Sequence, residues 1–167
     1  MRKGLLFIFL IFIGLSSFSQ VLPNFKQIKL NKRVHFKEAE PAVNLTIAYL
    51  FNTPIDKKNK ARAEAGQFLL KWMNGTPDYT FYLEEKETIY FNTDADLMLM
   101  YMAALTKFTL ANKEIKDQKT LILGTMNIVL PYLNNQEYKK TWSANLWQLA
   151  EAHQKGRLEN FLYSSKN

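Results

Sequence analysis

The sequence predicts a mainly α fold of about five helices packed as antiparallel hairpins. Apolar residues recur at helical spacing through most of 41–163, as at Ala65, Phe68, Leu69, Trp72 and Met73. Stop signals such as Asn74-Gly75-Thr76-Pro77 divide these stripes. The chain contains no cysteine, so no disulfide framework replaces a packed core. Its 167 residues suit one domain.

Residues 1–19 have the anatomy of a secretory signal. Arg2 and Lys3 form a basic start, 5–15 is apolar apart from Gly14, and Ser17 and Ser19 suit a cut before Gln20. The apolar run is shorter than the ~20 residues of a spanning helix. The mature chain is therefore expected in the periplasm or outside the cell. Cleavage takes two of the 22 basic residues and none of the 15 acidic ones, leaving a charge of +5. Export argues against a nucleic-acid partner, whereas an acidic polymer or an anionic surface suits this charge.

Residues 20–40 read as a basic, largely irregular leader. Lys26, Lys29, Lys32, Arg33 and Lys37 offer a weak contact with an anionic surface through 26–37. Its plainer reading is a solvated segment whose Phe25, Ile28 and Leu30 dock on the core. Glu38, Glu40 and Pro41 open the first long helix, with Val43, Ile47, Leu50 and Phe51 on its apolar face and Pro54 stopping it. Asp56 or Asn59 caps the next helix, which runs to about Met73 and is expected to be central to the core. Gly75 is expected to end it with positive φ. Tyr79, Phe81 and Leu83 then alternate with polar residues, and 88–91 is β-rich, so a short extended segment or hairpin is expected within 79–91.

Thr93 or Asp94 begins a helix that is apolar nearly all round from Leu97 to Leu110, a pattern for one enclosed by protein. Its Met98, Met100 and Met102 are better core filler than metal ligands, because no His or Cys accompanies them. The next stripe holds Ile122, Met126, Val129, Leu130 and Leu133, with Pro131 expected to end or kink its helix. Trp142, Leu146, Leu149, Ala150 and His153 make the last long one. Gly156 marks a break, Leu158, Phe161 and Leu162 suit a short terminal helix, and 164–167 is a tail. The recurrence of Phe51-Asn52-Thr53 at Phe91-Asn92-Thr93 has no third copy, and ordinary capping explains it.

No catalytic or metal motif is found, and no cofactor is expected. His35 and His153 lack a companion at metal-ligand spacing, and no nucleophile motif is present. Asp78, Glu84, Glu85, Glu87, Asp94 and Asp96 are the remaining candidates for chemistry, although a solvated turn and a capped helix account for them. The sequence thus favours a non-enzymatic binding or interaction module with an unknown protein or envelope partner. Its candidate binding surface is aromatic: Trp72, Tyr79, Tyr82 and Tyr90. A carboxylate-dependent envelope hydrolase is the alternative.

The signal ending Ser17-Phe18-Ser19-Gln20, KWMNGTPDYTF at 71–81 and LMYMAALTKFTLANK at 99–113 resemble uncharacterised exported helical proteins of Bacteroidetes bacteria. The resemblance implies an envelope or secreted location and carries no activity with it.

Overall fold

The computed structural model describes residues 22–135, 139 and 142–164. The signal expected at 1–19, the cut expected before Gln20 and tail residues 165–167 lie outside them. The described residues form an all-α fold with no strand: α1 (Arg33–Glu38), α2 (Glu40–Asn52), α3 (Lys60–Gly75), α4 (Glu85–Thr88), α5 (Ala95–Ala111), α6 (Gln118–Asn134), α7 (Ala144–Gln154) and α8 (Leu158–Tyr163). Five of these are long. A 3-10 turn, Phe25–Gln27, precedes α1. The leader is thus less irregular than expected, because Phe36 is buried and fixes α1 against the core.

Two helical pairs carry the fold, α2 with α3 and α5 with α6, each joined by a short loop as antiparallel neighbours are. Helix α3 buries Trp72 and meets both α2 and α5, and α5, apolar nearly all round, meets α2, α3 and α6 together. Local chemistry sets the starts. The Asn59 side chain accepts from the Arg62 amide, Asp94 from that of Asp96, Asp117 from that of Thr120, and Ser143 from that of Leu146. Pro41 stands in the first turn of α2, where its missing N–H costs nothing. Thr53, before Pro54, is extended and ends α2.

Three local expectations are corrected. Gly75 is the last residue of α3 and is not left-handed; among the described residues Gly156, at φ 65°, is the positive-φ glycine. Gly75 is small for another reason: a Cβ there would lie 2.5 Å from Cζ of Phe36. At Gly156, the Arg157 amide donates to Ala152 O at 2.8 Å and the Gly156 amide to His153 O at 3.0 Å, the paired bonds of a glycine helix stop. Second, 79–84 forms neither helix nor strand, and the polar residues expected to form a hairpin turn wind into α4. Phe91 turns inward instead of lying on a sheet, and stacks on Tyr101 with ring centres 4.8 Å apart. Third, of the end or kink expected at Pro131, the end is ruled out: α6 continues to Asn134. Pro131 and the residue four before it, Asn127, are both exposed, so water can take the carbonyl that loses its donor.

Candidate functional site

The aromatic candidates occupy very different places. Trp72 is fully buried, and its indole N–H donates to Phe36 O at 2.8 Å, so it offers no surface to a ligand. Tyr79 is half-buried against it, with ring centres 5.7 Å apart, and Trp72 therefore works as the backing of Tyr79. Tyr82 is 57% exposed. Tyr90 is half-buried and faces Phe161 at 6.1 Å, away from the Tyr79 group in its contacts. The four do not form one surface.

Tyr79 instead belongs to an open cleft of about 580 Å³ lined by Arg33, Val34, Lys37, Glu40, Asp78, Tyr79 and Lys113. Helix α1 supplies three of these residues, the start of α2 one, the segment after α3 two, and the loop after α5 one. Two networks hold the walls. The Glu40 carboxylate accepts from the Tyr79 hydroxyl at 2.9 Å and from Lys113 Nζ at 2.8 Å. The same ammonium lies 5.7 Å from the centre of the Tyr79 ring. Arg33 pairs with Asp78 across the cleft. The hydrogen bond to Glu40 holds the Lys113 pKa above its usual value, and burial raises that of the Tyr79 hydroxyl. Lys37 has no ion-pair partner among the described residues. Val34, 53% exposed, adds an apolar edge.

The carboxylates singled out for chemistry mostly hold structure. Asp94 caps α5 and pairs with Lys57 at 2.9 Å; burial opposes its ionisation, but the hydrogen bonds from Lys57 and the Asp96 amide prevail and its pKa is lowered. Glu84 accepts from Gln118 and pairs with Lys86, which lowers its pKa. Glu85 is exposed. Glu87 is enclosed, its side chain 3% exposed, and no substrate reaches it in this arrangement. His35 Nδ1 is 2.6 Å from Asn31 Oδ1. Among the described residues, no three His, Cys, Asp or Glu side chains converge to hold a metal ion. Likewise, no described helix is long and apolar enough to cross a membrane.

Sequence reading missed Glu40, Lys113 and Arg62 as important residues. No local motif joins Glu40 to Lys113, 73 positions away. Arg62 did carry a signal: it lies three and seven residues before Ala65 and Leu69, on their apolar stripe. No family model, curated protein or solved structure matches the chain.

Proposed function

We propose that this chain is an exported, non-enzymatic binding module whose cleft takes an acidic segment of a partner protein in the envelope or outside the cell. One observation carries the reading: Arg33, Lys37 and Lys113 converge on an open cleft that also presents Tyr79 and Val34. Cations beside an aromatic face and an aliphatic edge suit a peptide carrying both carboxylates and apolar side chains. Lys37, without an ion-pair partner among the described residues, is available to such a ligand. The Arg33–Asp78 and Lys113–Glu40 pairs hold the other cations in position. Exposed Lys26, Lys29 and Lys32 extend positive charge along the leader before α1. Export rests on the signal-like residues 1–19. Glu87 is enclosed, Asp94 and Glu84 are engaged in capping and ion-pair contacts, and the two cleft carboxylates, Glu40 and Asp78, are paired with Lys113 and Arg33, which supports binding over hydrolysis.

Calorimetric titration of the mature chain with poly-L-glutamate tests this reading. Binding is expected at low ionic strength and weakens as salt rises, because the cleft charges are solvent-exposed. Lys37→Glu should weaken it about tenfold or more, corresponding to ~1.4 kcal/mol. Lys58→Glu, on an exposed lysine outside the cleft, should change it far less. Equal loss from both variants would reduce the interaction to general charge attraction and remove the cleft from the account.

A further inference from the structure

Away from the cleft, a group of polar atoms is buried without hydrogen-bond partners. Glu87 is 2% exposed and neither of its carboxylate oxygens accepts a hydrogen bond. The hydroxyls of Tyr101 on α5 and Tyr163 on α8 are also buried and unbonded, and the Glu87 charge acts on both. Lys86 Nζ is 3.5 Å from Glu87 Oε1 and 5.9 Å from the centre of the Tyr163 ring. Glu87 is the only residue that α4 buries, and no side chain caps this single-turn helix. The docking of α4 therefore centres on a carboxyl group.

We propose that Glu87 is a proton-operated latch: with its proton it holds α4 and the 76–92 strap against Tyr101 and Tyr163, and without it lets them go. A carboxylate taken from water needs hydrogen-bond donors or a close opposite charge, and the neutral acid needs much less. The charges around it are divided. On the strap, Lys86 favours the ionised form, whereas Glu84 opposes it, and Tyr90 adds a hydroxyl held protonated by burial first and by the Glu87 charge second. The Glu87 charge also acts on Tyr101 of α5 and Tyr163 of α8. At the start of α6, Lys119 lies 5.4 Å from the Tyr163 ring centre, Asp117 acts on the Tyr163 hydroxyl, and Gln118 is engaged by Glu84. Lys119 is itself paired with Glu159 of α8.

Burial outweighs Lys86, and the docked Glu87 pKa is raised above the ordinary carboxyl value. The sign follows from linkage. A raised acid pKa in the docked state means that docking is fully favoured below the ordinary carboxyl range. That contribution is lost as pH rises through the docked pKa. The strap carries Tyr79 toward its other end, where it bonds Glu40. Release would thus loosen one cleft wall, a consequence that rests on the binding reading above; the latch itself does not.

Amide hydrogen exchange at 84–92 in the full mature chain, corrected for the intrinsic pH dependence of exchange and followed from about pH 4 to about pH 8, tests the latch without a ligand. In the native sequence, protection should fall along a one-proton curve with its midpoint above the ordinary glutamate range. Glu87→Gln, uncharged and of the same shape, should stay protected throughout, and Glu85→Gln on the exposed neighbour should keep the native curve. A flat native profile would overturn the proposal, as it would if the tyrosine hydroxyls turned to donate to the ionised carboxylate. An unchanged curve in Glu87→Gln would do the same. So would loss of protection at every pH in that variant with helix content intact.

Discussion

Trp72 and Gly75 show how side-chain size governs the middle of the molecule. Trp72 combines complete burial with one hydrogen bond to the Phe36 carbonyl, so α3 holds α1 through a ring and a donor together. Trp72→Ala should destabilise the fold by about 3–5 kcal/mol, read from the denaturation midpoint. Trp72→Phe should cost about 1–3 kcal/mol through the unpaired carbonyl and the smaller ring. The apolar stripe of α3 made Trp72 legible as core, against its place in the expected binding surface, but sequence spacing could not reveal that its N–H reaches a carbonyl 36 positions back. At Gly75 the stop signal was read through the wrong property. The requirement is space for the Phe36 ring, which no local pattern records. Gly75→Ala should therefore cost about 1–3 kcal/mol by overpacking. Asparagine should gain no advantage from its tolerance of positive φ. The check is a double-mutant cycle: in a Phe36→Leu background, much of the Gly75→Ala cost should disappear.

At the scale of elements, Arg62 joins two helices and ends one of them. The buried guanidinium donates through one NH2 group to Leu50 O at 2.8 Å and Thr53 O at 3.0 Å, satisfying carbonyls at the end of α2. Its other NH2 group lies 2.9 Å from Met100 Sδ on α5. Its positive charge sits at the negative end of α2, which makes burial without a carboxylate tolerable. Tyr132 of α6 bonds the same two carbonyls, at 3.3 and 3.0 Å. Arg62→Ala should cost about 3 kcal/mol or more in a denaturant titration, since charge-assisted bonds contribute ~1.5–3 kcal/mol each. Arg62→Lys should recover only part, because one ammonium cannot reproduce the fork. Between α5 and α6, a Cβ at Gly124 would run into the Phe108 ring, so these helices meet through a glycine–aromatic contact. The long helices were legible because their apolar stripes and caps are local. Helix α4 was not: it is one turn long, and its stability depends on where Glu87 lands rather than on any period in 84–91.

At the scale of the whole molecule, the cleft exists only because distant segments meet. Arg33 and Lys37 come from α1, Glu40 from α2, Asp78 and Tyr79 from the strap, and Lys113 from the loop after α5. The sequence displayed two halves of this site, a basic run at 26–37 and an aromatic run after Trp72. It gave no sign that they face each other, because the connection runs through folded helices. The aromatic grouping was divided for the same reason: Trp72 faces inward, Tyr82 outward and Tyr90 toward α8. The most direct test of the binding reading is residue-resolved NMR of isotope-labelled residues 20–167 during titration with a glutamate-rich peptide. Shift changes should concentrate at Arg33, Lys37, Asp78, Tyr79 and Lys113 and largely vanish in Lys37→Glu. Changes confined to Lys26, Lys29 and Lys32, or spread evenly over the surface and unaffected by Lys37→Glu, would contradict it.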